Sequence, residues 1–219
     1  MKLVLYSGGH FDENEQLNQC LVDLTGKKSP QMTFIPSSSY QCEVEYREIT
    51  TEFRRYGLKK VLLFPVDVSF DPIFLQEAFS SDIIFLGGGN TFYFLDSLRK
   101  KGLLSLLKTF VQTGGVLAGL SAGAIICTPT IYTASIPEFD RDENDIKLKN
   151  WKSLGLSRFE FFPHYRRSKR YDDALKEATL CGKRSIHALS DGGGIVMEDK
   201  DFYRVGPGSF FHNGEKIIF

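Results

Sequence analysis

The 219-residue chain lacks several features that would assign it to a class at once. It has only four cysteines and one tryptophan, and no excess of one charge, because 27 basic side chains balance 27 acidic ones. Cys20, Cys42, Cys127 and Cys181 show no paired spacing, which argues against a zinc or redox motif. We therefore expect four reduced, buried and structural thiols and no metal site.

A basic excess and long apolar runs are also absent. A neutral chain lacks the positive surface that attracts proteins to nucleic acids or anionic membranes. The apolar opening, residues 1–9, is too short for the core of a signal peptide, and no later run approaches the length of a membrane span. We expect a cytoplasmic protein, a monomer or homodimer, with neither a nucleic-acid nor a membrane partner.

What the chain does contain is an alternation of short apolar runs with segments of helical character. Strands are predicted at residues 2–6, 32–35, 61–64, 83–86 and 116–119, and later at 159–162, 186–189, 195–197 and 202–205. Helices are predicted at residues 14–24, 42–56, 72–79, 92–113 with a break at Gly102, and 169–179. An Asn-Gly turn predicts a hairpin at 210–218. The early strands lack polar alternation, so the pattern favours one α/β domain over residues 1–219, doubly wound around a mostly parallel sheet with helices on both faces.

The strongest local motif is Gly119-Leu120-Ser121-Ala122-Gly123, between an apolar strand and a helix-like segment. A Gly-x-Ser-x-Gly sequence in that position can form the strained turn that exposes a nucleophile above a sheet. The flanking glycines avoid a Cβ clash where the chain doubles back. We predict that Ser121 is a nucleophile and that the Ala122 amide stabilises an oxyanion.

A second glycine cluster, Gly87-Gly88-Gly89-Asn90-Thr91, also follows an apolar strand and precedes a helix. It has neither the Gly-Lys-Ser/Thr ending nor the spacing of a phosphate loop. If the two strands are neighbours, both turns lie at the carboxyl edge of the sheet, and one can donate an amide to the oxyanion formed at the other. A tight connection without a ligand is the alternative.

A serine nucleophile needs a base, and the chain has four histidines. His164 follows a predicted strand and is our base, with His10 in reserve, while His187 is interpreted as structural and His212 as exposed. A third group should orient the imidazole. By the chain order of nucleophile-elbow enzymes it lies between Ser121 and His164, where the choices are Ser135, Glu138, Asp140, Asp142, Glu143 and Asp145. The charged stretch 138–150 is either a solvated excursion or a loop near the site.

Four motifs follow one another along the chain: Gly87-Gly88-Gly89-Asn90-Thr91-Phe92, Gly119-Leu120-Ser121-Ala122-Gly123-Ala124, Pro129-Thr130-Ile131-Tyr132-Thr133 and Pro163-His164-Tyr165. Together they resemble the dipeptidase E family of serine peptidases, which includes aspartyl dipeptidases and has cyanophycinase as a relative. The resemblance implies a flavodoxin-like fold similar to class I glutamine amidotransferases. It also implies cleavage of short peptides with an N-terminal aspartate, without metal or cofactor.

By that resemblance, Ser121 is the nucleophile, His164 the base, and the amides of Gly89 and Ala122 the oxyanion hole. Arg170, with Gly88 and Asn90, is a candidate to bind the substrate. The acidic residue that the family pattern places after Thr133 is missing, so Ser135, or else Glu138 or Asp140, is the expected third member of the triad. An esterase, amidase or isoaspartyl-bond hydrolase, or an inert binding homologue, are the alternative functions.

Overall fold

The computed structural model describes residues 1–40, 42–182 and 184–219, and of residues 11, 181 and 182 it describes the backbone alone. The strands in these ranges are β1 (Lys2–Tyr6), β2 (Gln31–Ile35), β3 (Lys60–Leu63), β4 (Ile83–Leu86), β5 (Val116–Leu120), β6 (Glu160–Phe162), β7 (Ser185–Leu189), β8 (Gly194–Glu198), β9 (Asp201–Val205), β10 (Gly208–His212) and β11 (Glu215–Ile218). The α-helices are α1 (Glu15–Asp23), α2 (Cys42–Arg54), α3 (Pro72–Phe79), α4 (Thr91–Lys100), α5 (Leu103–Gln112), α6 (Ala122–Cys127) and α7 (Lys169–Gly182).

Seven of the described strands form the central sheet, in the order β3-β2-β4-β5-β1-β8-β9. The first five strands are parallel to one another, whereas β8 is antiparallel to β1 and β9 is antiparallel to β8. The predicted mostly parallel sheet is therefore confirmed. The parallel strands run in the order 3-2-4-5-1, whereas a flavodoxin-like order is 2-1-3-4-5, so β1 lies beside β5 rather than beside β2.

Helices cover both faces of this sheet, as predicted. Leu3 and Leu5 of β1 belong to an apolar core shared with α3, α4, α5 and α6, and Val4 and Tyr6 belong to one shared with α1 and α2. Successive side chains of one strand thus enter two different cores, which explains the continuous apolar runs in the sequence. The break between α4 and α5 falls at Gly102, whose φ of 70° suits a residue without a side chain.

The remaining strands form a second, four-stranded sheet in the order β11-β10-β7-β6, in which only β6 and β7 are parallel among the described pairs. The predicted hairpin is confirmed: Asn213 and Gly214 have φ of 50° and 76°, and His212 pairs with Glu215. The carboxyl ends of β6 and β7 lie side by side, and this placement builds the functional site.

The cysteine prediction is confirmed in part. Cys42 and Cys127 are buried free thiols, and burial raises the pKa of both. Cys20 corrects the prediction, because it is only half-buried and its sulfur lies 3.2 Å from the Tyr203 hydroxyl. The side chain of Cys181 lies outside the described part of the chain. Of the helices that are described, none is long and apolar enough to cross a membrane.

Candidate active site

Ser121 lies at the sharp turn from β5 into α6. Its φ of 51° and ψ of −107° are unusual for a residue with a side chain, and such strain persists only where the surrounding structure fixes it. Here the Ser121 N–H donates to the carbonyl of Tyr6 at 3.0 Å. The turn places the hydroxyl in a cleft at the carboxyl edge of the parallel strands, where ligand sites form in this architecture.

The two glycines that flank the serine are required by close packing. A Cβ on Gly119 would lie 2.4 Å from the carbonyl carbon and oxygen of Gly123, and a Cβ on Gly123 would lie 2.4 Å from the carbonyl oxygen of Leu86. Both contacts are with backbone atoms, which cannot move aside. The Gly-x-Ser-x-Gly pattern thus has the steric basis that the sequence analysis gave it.

His164 follows β6 and reaches the serine directly. Its Nε2 lies 2.8 Å from the Ser121 Oγ, although 43 residues separate the two in the chain. Its main chain, at φ 55°, donates N–H to the Ser7 Oγ at 2.8 Å, and the buried Ser7 hydroxyl donates in turn to the Leu189 carbonyl at 2.6 Å. Ser7 therefore connects the ends of β1, β6 and β7.

The third group is Asp191, which sequence reasoning missed. Its Oδ1 lies 2.7 Å from Nδ1 of His164, so both ring nitrogens are hydrogen-bonded. Asp191 follows β7, the parallel neighbour of β6, and carboxyl ends of parallel neighbours meet. The rule that the third member precedes the histidine in the chain hid it. A usable signal was present in Asp191-Gly192-Gly193-Gly194, an acid and three glycines just after a predicted strand.

None of the three predicted orienting groups is hydrogen-bonded to His164, whose Nδ1 bonds Asp191, and Ser135 is the first to be corrected. Its hydroxyl donates to the Tyr132 carbonyl at 2.7 Å, because it lies in a short 3₁₀ turn. Asp140 accepts a hydrogen bond from the Tyr171 hydroxyl, and burial together with this bond raises the pKa of Tyr171. Glu138 is exposed at the start of another 3₁₀ turn.

Gly8 packs directly against the histidine and the aspartate. A Cβ at this position would lie 2.3 Å from both Cε1 of His164 and Oδ1 of Asp191. The Gly8 carbonyl also accepts the N–H of Gly192 at 3.1 Å, which holds the loop that carries Asp191. At Gly8 the chain therefore supplies space and a backbone carbonyl to the site, beside the Ser7 hydroxyl that bonds His164.

His187 and His212 lie where the sequence predicted, whereas His10 is not among the residues that line the cleft. His10, the reserve base, is exposed and begins a short 3₁₀ turn before α1. His187 is buried and accepts from the Arg204 Nε at 3.0 Å, and its pKa is lowered to about 3, first by burial and then by the Arg204 charge. His212 is exposed and contacts Ser185.

The second glycine turn, after β4, borders the cleft. Gly89 lines it at φ 121°, and a Cβ there would lie 2.1 Å from the Ser37 Oγ. Gly88 is close to the serine, since a Cβ on it would lie 3.8 Å from the Ser121 Cβ. Asn90 corrects the prediction of a substrate contact. Its Oδ1 accepts from the Tyr93 N–H at 3.0 Å, and its Nδ2 donates to the Glu143 carbonyl at 2.9 Å.

The cleft has a volume of about 420 Å³ and is lined by charged as well as apolar groups. Besides Ser121 and His164, these include Asp142, Arg141 and Arg166. The predicted substrate contact of Arg170 is corrected, because its guanidinium lies 3.7 Å from the ring centroid of Phe139 and is not part of the lining. The charged stretch 138–150 is thus a loop at the site, which was the second of the two interpretations.

Among the side chains that the structure describes, no group of three or more His, Cys, Asp or Glu residues is arranged to hold a metal ion. A hydroxyl hydrogen-bonded to an imidazole, which is hydrogen-bonded to a carboxylate, can act as an activated nucleophile.

The comparison with known families gives the class of protein. Residues 3–205 match the model of Peptidase family S51, and the chain belongs to this family of peptidases.

Particular relatives carry peptidase names. An uncharacterized peptidase from Listeria innocua is 33% identical over 177 residues, covering 78% of this chain and 81% of the relative. Peptidase E from Salmonella arizonae is 30% identical over 175 residues, covering 75% and 69%. A solved structure of a peptidase from an acI-B1 Actinobacterium has a TM-score of 0.73 at 19% identity and covers 100% of this chain and 96% of that one, a likeness in fold.

Proposed function

We propose that this protein is a serine peptidase that hydrolyses short peptides through an acyl-enzyme. Ser121 attacks the scissile carbonyl, and His164 accepts the serine proton and returns it to the leaving amine. Water then attacks the ester by the reverse proton path. The observation that supports this proposal is the pair of hydrogen bonds at 2.8 and 2.7 Å that join Ser121, His164 and Asp191.

The oxyanion hole in this proposal consists of the amides of Gly89 and Ala122. Gly89 lines the cleft beside Ser121, and Ala122 is the first residue of α6, whose N–H has no partner within its own helix. Two such donors stabilise the negative oxygen of a tetrahedral intermediate. The position of the nucleophile, after a parallel strand and before a helix, also supports the kinship with class I glutamine amidotransferases that the sequence resemblance implied.

The substrate class that we propose is a dipeptide with an N-terminal acidic residue. The resemblance of the sequence motifs to aspartyl dipeptidases supports this choice. So do Arg141 and Arg166, two cationic side chains that line the same cleft as Ser121; Arg141 also forms an ion pair with Glu143 at 3.5 Å. A guanidinium binds a carboxylate through two hydrogen bonds.

The test is the change Ser121→Ala, assayed on a panel of X-Leu dipeptides that includes Asp-Leu. We expect Asp-Leu to be cleaved best by the unchanged protein and its hydrolysis to fall by at least about 10³-fold in the variant. Ser135→Ala is the matched control, because its hydroxyl bonds the Tyr132 carbonyl and not His164, and it should retain activity within about twofold.

A fluorophosphonate probe gives an independent measure of the same nucleophile. Labelling at Ser121 that disappears in Ser121→Ala supports the proposal, whereas an unlabelled protein favours the inert homologue. Hydrolysis that persists in Ser121→Ala contradicts the proposal outright. Equal cleavage of all X-Leu substrates would reject the acidic preference alone.

A further inference from the structure

Three successive residues where β1 ends bond the triad of Ser121, His164 and Asp191 or its direct neighbour in the chain. The hydrogen bonds run from the Ser121 N–H to the Tyr6 carbonyl at 3.0 Å, from the His164 N–H to the Ser7 Oγ at 2.8 Å, and from the N–H of Gly192, next to Asp191, to the Gly8 carbonyl at 3.1 Å. Because β1 lies between β5 and β8 in the central sheet, an interior strand sets the relative positions of the three groups. Of these three contacts, only that of Ser7 is made by a side chain, so a substitution can remove it.

The Ser7 hydroxyl is fully buried and acts as donor and acceptor at once. Its proton goes to the Leu189 carbonyl at 2.6 Å, which leaves a lone pair of the oxygen for the His164 N–H. Leu189 is the last residue of β7 and lies two positions before Asp191. The Ser7 N–H donates to the carbonyl of Gly193, two positions after Asp191, at 2.8 Å. Ser7 therefore bonds the chain on both sides of the aspartate as well as the histidine itself.

The main chain of His164 needs such a contact. The side chain is 47% exposed, so packing covers only about half of it. The φ of 55° lies in the left-handed region, which residues with a side chain seldom adopt and which persists only where the surroundings fix it. Main-chain torsions set the direction of the Cα–Cβ bond. The hydrogen bond from the His164 N–H to Ser7 therefore also helps to aim the imidazole.

We propose that Ser7 is a positioning residue for the triad, whose hydroxyl holds His164 where Nε2 meets Ser121 and Nδ1 meets Asp191. Ser7 is outside the cleft lining and acts on the reaction through the histidine alone. This inference rests on the proposed function and goes beyond it. A displacement of about 1 Å in a reacting group can cost about 10²-fold in rate. The loss should therefore appear in kcat, while KM is spared.

The experiment compares Ser7→Thr with Ser7→Val, two side chains of the same shape that differ in the hydroxyl. Both add a methyl group to a buried site, so they share any packing cost. In Ser7→Val we expect kcat on Asp-Leu to be about 10- to 100-fold below that of Ser7→Thr, with the two KM values within about twofold. The fluorophosphonate probe should label Ser121 more slowly in Ser7→Val by a similar factor, because labelling needs the His164 base and no bound peptide.

Ser7→Ala removes the hydroxyl without adding a methyl group, and it should lower kcat by about 10- to 100-fold relative to the unchanged protein. Ser157→Ala is its matched control. The Ser157 hydroxyl is also buried and donates to the Phe159 carbonyl at 2.6 Å, ahead of β6 and outside the cleft lining. A thermal melt should show a loss of stability in both variants, but kcat of Ser157→Ala should stay within about twofold.

The proton between Nδ1 of His164 and Asp191 gives a readout that a loss of stability alone would not move. In protein with isotope-labelled histidine, this hydrogen-bonded proton should give a low-field NMR resonance. We expect the resonance in the unchanged protein, in Ser7→Thr and in Ser157→Ala. It should be weakened or absent in Ser7→Val and Ser7→Ala, because the imidazole is no longer held against the carboxylate.

The outcomes separate this inference from the proposed function. Equal kcat in Ser7→Thr and Ser7→Val, with Ser121→Ala inactive, would overturn the role of Ser7 and leave the peptidase standing. If the unchanged protein hydrolyses no X-Leu dipeptide, the proposed function falls, and the resonance decides the role of Ser7. A resonance present in Ser7→Thr and lost in Ser7→Val supports that role, whereas the same result in both variants rejects it.

Discussion

The imidazole of His164 shows how much of the site depends on single residues. The sequence analysis selected it from four histidines because it follows a strand, and the structure places its Nε2 2.8 Å from Ser121. The choice of Ser135 as its partner was wrong. Asp191 lies 27 residues beyond the histidine, and only the adjacency of β6 and β7 brings the two together. Strand adjacency of this kind leaves no trace in residue spacing.

Asp191→Asn is expected to lower kcat on Asp-Leu by about 10³-fold or more. A neutral amide stabilises the imidazolium less and favours the wrong imidazole tautomer, and the same change in a well-studied serine protease costs about 10⁴-fold. Steady-state kinetics measures the effect, with a thermal melt to verify folding. Glu138→Gln, the same carboxyl-to-amide change at one of the earlier candidates, should be neutral. A large loss in Glu138→Gln with none in Asp191→Asn would reverse the assignment.

Helices α3 and α4 both begin with a side chain that caps the helix N-terminus, but the two caps differ in their other contacts. Asp71 caps α3 by accepting from the Phe74 N–H at 2.7 Å, and Asn90 caps α4 through the Tyr93 N–H at 3.0 Å. Asn90 alone also donates to the carbonyl of Glu143 and so ties the loop at the cleft to its helix. The sequence predicted the start of both helices, but not that one cap also anchors a loop.

Asn90→Ala should therefore lower both stability and activity, whereas Asp71→Ala should lower stability alone. Loss of either cap costs about 1 kcal/mol in the free energy of unfolding. In Asn90→Ala the released loop carries Arg141, the proposed contact of the substrate carboxylate, so KM for Asp-Leu should rise several-fold. Urea unfolding and dipeptide kinetics on both variants make the comparison. Equal activity in the two variants would show that Asn90 is a cap and nothing more.

The two sheets meet at His187, a residue outside the cleft lining. It lies on β7 of the second sheet and is 2% exposed. Phe202 and Arg204, from the edge strand β9 of the central sheet, contact it: the Phe202 ring centroid is 5.4 Å away, and the Arg204 Nε donates to Nδ1. Burial and the nearby guanidinium lower its pKa to about 3. The junction therefore holds a neutral imidazole.

This junction should make stability depend on pH in the acid range. A histidine in the unfolded chain has a pKa of about 6.5. Below that pH the unfolded chain protonates His187, whereas the folded chain keeps it neutral down to about pH 3. The stability that the neutral His187 contributes above pH 6.5 is lost as the pH falls, by about 2 kcal/mol in the free energy of unfolding at pH 5.

Urea unfolding at pH 7.5 and 5.0 measures this loss of stability. His187→Phe should reduce that difference, and His212→Gln, an exposed histidine on β10, should keep it. Parallel losses in all three proteins would exclude His187 as the source.

The order of strands and helices, the glycine-flanked turn at Ser121 and the hairpin at Asn213 were all readable from the sequence. Each depends on local sterics or on the period of apolar residues along a few turns of chain. The sequence did not reveal the strand order 3-2-4-5-1 or the separate second sheet. Nor did it reveal the contact of Asp191 with His164, or that Arg141 and Arg166, instead of Arg170, line the cleft. These features arise from which strand ends become neighbours, and that is settled by packing between segments far apart in the chain, where spacing carries no information.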